Sequence, residues 1–233
     1  MRRDISECVA AVRERIQLAA RRSGRSAEEI TLVAVTKTVE LSLIEQAVAL
    51  GIRDIGENRV PEAVSKKPLI KQGDLRWHLI GHLQSNKARA AIDTFDFIQS
   101  VDSSKLAQRL DRTAGEAGKR IKVLIQVDLG LEPTKSGTPE VEVDSLVRCL
   151  DDASHLELAG LMTLPPFFEA VEKTRPFFAR LRNLMEALNR GLAPERRMKE
   201  LSMGMSHDFE IAIEEGATMV RVGTAIFGSR PRP

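Results

Sequence analysis

Thr31-Leu32-Val33-Ala34-Val35, followed by Thr36-Lys37-Thr38 and then by Leu41, Ile44, Ala47 and Val48 ahead of Gly51, sets the rhythm of the chain. The apolar and β-branched run at 31–35 reads as a buried strand. The three-four spacing from Leu41 to Val48 reads as one helix face, which Gly51 closes. This is one strand–helix unit, and the same rhythm continues to the end of the chain. Strands are expected at 31–35, 53–55, 76–80, 97–101, 122–127, 156–162, 200–203 and 218–222. Helix faces between them are Leu106, Leu110 and Ala114; Val143, Leu146, Val147 and Leu150; and Phe177, Leu181, Leu184, Met185 and Leu188. A short late helix carries Ile211 and Ala212, with Gly216 as its stop. Ahead of all this stands a helix with Ile5, Val9, Val12, Ile16 and Ala19 on one face. Asp4 is placed to cap it, with Glu7 three residues on as in a capping box.

Strict alternation implies a parallel sheet joined by right-handed crossovers. The count of eight strands leaves no residues for a second domain. The expected fold is therefore α/β, a (β/α)8 TIM barrel with an additional N-terminal helix, as one domain over 1–233. An open doubly wound sheet is the alternative, but no G-x-G-x-x-G turn follows the first strand.

Composition narrows the function classes. Thirty-five basic and 33 acidic residues leave a formal charge of +2, which makes no polyanion-sized field, so nucleic acid is not an expected partner. No window approaches the roughly 20 apolar residues of a membrane span. Met1-Arg2-Arg3 is followed by charged residues and no apolar export region, so a cytoplasmic protein is expected. Cys8 and Cys149 make no zinc framework, and no metal is expected. No extended apolar heptad is visible, and a monomer is the default.

In a barrel of this kind, active sites form at the C-terminal ends of the strands. Lys37 stands there at the edge of a dry core, where partial desolvation favours the neutral, nucleophilic amine of a Schiff-base lysine. The alternative is a lysine that snorkels to water, and spacing alone favours it. Asn58, in Gly56-Glu57-Asn58-Arg59, is either a donor to an oxygen ligand or the cap of the next helix, and spacing favours the cap. His78 reads as a hydrogen-bonded core residue and His82 as a polar group at the mouth. The polar loop after the fifth strand, residues 130–138 with Thr134-Lys135-Ser136-Gly137, is either a lid or an ordinary surface loop.

The last two units are the most informative. Ser202-Met203-Gly204-Met205-Ser206 follows one strand, and Arg221-Val222-Gly223-Thr224 runs into Ala225-Ile226-Phe227-Gly228. Barrels often hold a phosphate in the loops after strands seven and eight. Small residues there let backbone N–H groups approach an anion, and Ser202, Ser206 and Thr224 add hydroxyls. Ordinary turns rich in glycine are the alternative. An amine at strand one and a phosphate cradle at strands seven and eight would be neighbours in a closed barrel. Pyridoxal 5′-phosphate, with an aldehyde and a phosphate, spans such a pair, and Arg221 can then meet its ring nitrogen.

These residues resemble the pyridoxal phosphate homeostasis protein family. The resemblance is carried by Val35-Thr36-Lys37-Thr38, Gly56-Glu57-Asn58, Trp77-His78 with Ile80 to Lys87, Lys135-Ser136-Gly137, Gly160-Leu161-Met162, Leu201 to Ser206, and Val220 to Gly228. It covers nearly the whole chain in order. It implies a barrel similar to the N-terminal domain of alanine racemase and a lysine aldimine of pyridoxal 5′-phosphate at Lys37. It further implies a phosphate held by Ser202, Gly204, Gly223 and Thr224, with Arg221 by the ring and Asn58 lining the pocket. The implied role is buffering or delivery of the cofactor, with apo-enzymes as recipients and no established catalysis. One departure is His207, where many members carry an acidic residue.

A pyridoxal-phosphate-dependent amino-acid racemase is the other reading, and it needs the same groups. A two-base racemase of the similar fold uses a tyrosine from a second domain, and this chain has no tyrosine. A cationic arginine at the ring nitrogen also disfavours its protonation and weakens the ring as an electron sink. A lysine-dependent aldolase acting on a sugar phosphate is a third, weaker reading.

Overall fold

The computed structural model describes residues 4–71, 73–130 and 136–228. Its parallel strands are β1 (Thr31–Val35), β2 (Asp54–Glu57), β3 (Arg76–Leu79), β4 (Phe97–Val101), β5 (Ile121–Asp128), β6 (Thr138–Pro139), β7 (Leu156–Thr163), β8 (Glu200–Met205) and β9 (Met219–Val222). Two-residue β6 hangs on the end of β5, and the other eight close on themselves through β4–β5 and β1–β9 pairing. The expected (β/α)8 barrel is what forms.

The helices are α1 (Ile5–Arg22), α2 (Leu41–Ala49), α3 (Val60–Lys66), α4 (Ala88–Thr94), α5 (Ser104–Glu116), α6 (Val143–Asp151), α7 (Arg175–Asn189), α8 (Phe209–Glu214) and α9 (Thr224–Phe227). The additional helix α1 lies outside the barrel against α2, α8 and α9. Its apolar stripe is buried, while Arg15 and Arg22 donate to Glu210 and Glu214 at 2.7 and 2.6 Å. Each buried Val or Ile contributes about 1.5–3 kcal/mol. A partly exposed ion pair contributes about 1 kcal/mol or less, so the stripe and not the arginines holds α1 in place.

Strand parity separates two cores. Val33, Phe97, Leu124, Ala159, Met162 and Met219 come only from strands and fill the barrel interior. Ala34, Ile55, Leu161, Leu201, Val220 and Val222 pack outward with the helices. Side chains alternate along a strand. Arg221 therefore shares the interior parity of Met219, while Lys37 and Gly223 lie just past the ends of their strands.

Several expectations shift in detail. β2 begins one residue later than expected and runs on through Gly56 and Glu57. On α7 the fully buried residues are Phe178 and Leu181, and the expected Phe177, Leu184, Met185 and Leu188 are only partly covered. Asp4 does cap α1, accepting from the Ser6 N–H at 2.9 Å. The capping box with both bonds made is Ser26 with Glu29, ahead of β1.

Candidate active site at the barrel mouth

Because all strands run the same way, the segments after β1, β2, β3, β8 and β9 open on one mouth. Lys37 lies there, half-buried, directly after Thr36. Thr38, next to it, is the one non-glycine residue with positive φ among the described residues, at 58°. A β-branched residue in that region costs on the order of 1–2 kcal/mol and is held there by its surroundings. Glu62 supplies the hold, because its Oε1 accepts the Thr38 N–H at 2.5 Å.

Around this turn lies a buried charged cluster that the sequence did not disclose. Lys66 is only 8% exposed, and its ammonium donates to the Thr36 carbonyl at 2.6 Å, to Glu57 Oε1 at 2.8 Å and to Glu62 Oε1 at 2.6 Å. The Thr36 hydroxyl also donates to Glu57 Oε1, at 2.6 Å. Burial pushes the Glu57 carboxyl above its usual range, and the hydrogen bonds from Lys66 and Thr36 only partly offset this. The one visible sign in the sequence was the Glu62–Lys66 spacing on a helix face.

Asn58 is not the cap of α3, whose N-cap is Arg59 with no side-chain hydrogen bond. The Asn58 backbone instead packs against Gly81, where an added Cβ would lie 2.3 Å from the Asn58 carbonyl oxygen. Gly81 is thus required for the β2 and β3 loops to meet. His82 sits beside Asp102, with Nδ1 3.2 Å from its carboxylate.

Inside the barrel, Arg221 is 3% exposed. Its Nη1 donates to Ser202 Oγ at 2.6 Å and its Nη2 to the Thr163 carbonyl at 2.8 Å. Burial lowers its pKa to about 10, with the Asp208 charge acting in the other direction. The chain of bonds continues downward. Ser202 donates to Gln99 Oε1 at 2.6 Å, Gln99 donates to His78 Nδ1 at 2.9 Å, and His78 Nε2 donates to Asp54 Oδ1 at 2.8 Å. Arg76 closes it at the far end, donating to Asp54 Oδ2 at 2.7 Å. From Arg221 to Asp54 every link donates in the same direction. His78 is therefore the hydrogen-bonded core residue expected, with one ring nitrogen on Gln99 and the other on Asp54. Burial raises the Asp54 carboxyl, but the hydrogen bonds from His78 and Arg76, with the Arg76 charge, outweigh it and leave it below the usual carboxylate value.

The two serines of the 202–206 segment have different jobs. The Ser202 hydroxyl is engaged with Gln99 and Arg221 in the interior. Ser206 Oγ accepts the backbone N–H groups of Gly223 and Ala225, each at 3.2 Å, which leaves its own proton to donate. Ser206, with Thr224 exposed beside it, is the side chain at the expected phosphate loop. Gly204 has φ of 89°, and an added Cβ would meet Ala212 Cβ at 2.6 Å and Phe209 Cα at 2.8 Å. Its small size serves α8 packing. His207 donates from Nε2 to the Phe168 carbonyl at 3.0 Å and tilts against the Phe167 ring at 5.1 Å. Asp208 accepts the Met205 N–H at 2.7 Å, and burial raises its carboxyl despite that bond.

Residues 131–135, including Lys135 and most of the suspected lid, lie outside the described residues. The loop returns with Gln126 donating to the Ser136 carbonyl and Thr138 pairing with Val127. Two cavities open at the opposite end of the barrel. One, of about 660 Å³, lies between α1 and the starts of β1 to β3, and the other, of about 230 Å³, is lined by mixed charges at the starts of β5, β7 and β8. That end of a barrel supports stability, and the chemistry gathers at the other.

An alanine racemase N-terminal domain family model matches residues 8–231. Fold and site thus define a barrel of the alanine racemase N-terminal-domain class. An alanine racemase of Clostridium difficile shares the fold, with a TM-score of 0.69 at 17% identity over 94% of this chain and 57% of that one. Within this class the chain belongs to the pyridoxal phosphate homeostasis protein family. It is 40% identical over 224 residues to the pyridoxal phosphate homeostasis protein of Aquifex aeolicus, covering 96% of this chain and 97% of that protein. The structure of PipY from Synechococcus elongatus with pyridoxal phosphate bound matches with a TM-score of 0.85 at 40% identity, covering 97% of this chain and 100% of that one. Among the described residues, no helix is long and apolar enough to cross a membrane, and no group of three His, Cys, Asp or Glu is arranged to hold a metal ion.

Proposed function

We propose that the chain holds pyridoxal 5′-phosphate at the C-terminal mouth as a reversible aldimine with Lys37, and buffers it or passes it to apo-enzymes. The observation that carries this reading is the common mouth of two adjacent strands. Lys37 follows β1, while Arg221 lies inside β9 with the Ser206–Gly223–Ala225 bonds above it. The cofactor supplies an aldehyde, a pyridine ring and a phosphate, and the chain offers one kind of partner to each.

Lys37 offers an amine, half-buried at the end of β1, as a partner for the aldehyde. Arg221 offers a guanidinium that donates to the Ser202 hydroxyl and the Thr163 carbonyl, both neutral, which suits an unprotonated ring nitrogen as a further acceptor. Ser206 and Thr224 offer hydroxyls, and Gly223 offers close backbone approach, for the phosphate. Ser202 acts here through Arg221 and Gly204 through the packing of α8, and Asn58 lines the side of the mouth next to Gly81.

A carrier fits this arrangement better than a racemase. Racemisation needs a second proton-transfer group at the substrate α-carbon. The tyrosine that supplies it in a two-base racemase of the similar fold has no counterpart here, because this chain contains no tyrosine. The test is the visible absorbance band of the loaded protein. It is expected in the wild-type chain and lost in Lys37→Ala, and an identical band in the variant would overturn the assignment.

A further inference from the structure

We infer that Lys66 and Glu62 are positioning residues for Lys37, gripping the two peptide groups that flank it and so governing its capture of an aldehyde. The inference rests on the proposed Lys37 linkage and names what sets its geometry.

Two observations carry it. Lys66 has three N–H donors, and all three are assigned: one to the Thr36 carbonyl, one to Glu57 and one to Glu62. The side chain is thus a satisfied ammonium with a structural task, and it is not a competing nucleophile. On the other flank, Glu62 accepts the Thr38 N–H, and Thr38 is held in the left-handed region at φ 58°. The peptide groups before and after Lys37 are therefore tied to a single helix, α3, through residues four apart.

Thr36 turns outward toward α3, where its hydroxyl and carbonyl meet Glu57 and Lys66. Lys37 follows it at the mouth. Holding the peptide groups on both sides fixes the backbone from which the Lys37 side chain leaves. Imine formation joins the neutral amine to the carbonyl carbon and releases one water, with no change of oxidation state. Its rate depends on how the nitrogen approaches that carbon, and a misplacement of about 1 Å can cost on the order of 100-fold.

The experiment uses the full chain, with Lys66→Met and Glu62→Gln made separately. Two probes are compared: pyridoxal 5′-phosphate, and pyridoxine 5′-phosphate, which has an alcohol in place of the aldehyde and cannot form an imine. In Lys66→Met, affinity for the aldehyde and its rate of imine formation are expected to fall about tenfold or more. Affinity for the alcohol is expected to stay within about twofold, because ring and phosphate contacts remain. Glu62→Gln should show the same split with a smaller loss. It carries the test if circular dichroism shows that Lys66→Met does not fold, since Glu62 is partly exposed. Equal losses for both probes, or variants that capture the aldehyde like the wild type, overturn the inference. A wild-type chain that forms no imine at Lys37 overturns the proposed linkage as well, which separates the two failures.

Discussion

Gln99 joins His78 to Ser202 across the middle of the barrel, donating to Nδ1 of the first at 2.9 Å and accepting from the hydroxyl of the second at 2.6 Å. Barrel interiors of this class are mostly layers of branched apolar side chains. Here a polar chain crosses that interior from Asp54 at one end to Arg221 below the mouth. Each member is satisfied only because its neighbours are, which makes the chain costly to break at one point.

Gln99→Leu removes the central link and leaves the His78 Nδ1 acceptor and the Ser202 proton without partners. A loss of about 1–3 kcal/mol in urea unfolding is expected. The ligand absorbance band should also shift, because Arg221 loses the support that Ser202 receives from below. An unchanged unfolding midpoint would show that the interior bonds contribute nothing net.

Asp54 gives the chain a pH dependence of known sign. Its folded carboxyl lies below the ordinary value of 3.8. The stability it contributes is therefore present above about pH 4 and lost as pH falls through the lower folded value. Asp54→Asn should flatten this part of the acid unfolding curve relative to the wild type. A steeper acid loss in the variant would reverse the assigned sign.

Gly204→Ala should destabilise the ligand-free chain by on the order of 2 kcal/mol or more, because its φ of 89° and the 2.6 Å approach to Ala212 both oppose a side chain. Thermal unfolding without ligand is the measurement. A variant of wild-type stability that binds phosphate esters weakly would return Gly204 to the phosphate loop as a direct ligand.

The two serines can be separated. Ser206→Ala should weaken binding of both pyridoxal 5′-phosphate and inorganic phosphate about tenfold, the scale of one hydrogen bond to a charged group at about 1.5 kcal/mol. Ser202→Ala should leave phosphate binding nearly unchanged and alter the ligand spectrum through Arg221. The reverse pattern, measured by calorimetry, would restore Ser202 as the phosphate serine.

Much of the architecture was legible because it rests on local periodicity. The strand runs and helix faces needed no tertiary information, and all eight barrel strands lie at or near their expected places. That Lys37, Arg221 and the 223–224 loop lie at neighbouring strand ends was legible because strand ends in a barrel converge. What stayed hidden was set by barrel closure. His78, Gln99 and Ser202 are 21 and 103 residues apart along the chain and become neighbours only across the interior. The Lys66 cluster was hidden because a lysine at a helix end reads as solvated until its partner, the fully buried Glu57, is known. That Ser202 joins the interior network while Ser206 bonds to Gly223 and Ala225 depends on the irregular end of β8 at Gly204, which alternation alone does not reveal.

In the proposed function one amine, that of Lys37, carries the cofactor. Reduction of the loaded wild-type chain with borohydride, followed by peptide mapping, tests it most directly. The expected result is one phosphopyridoxyl adduct, on the peptide containing Lys37, and its absence from Lys37→Ala. An adduct concentrated on any other lysine of the wild-type chain, with Lys37 unmodified, would contradict the account.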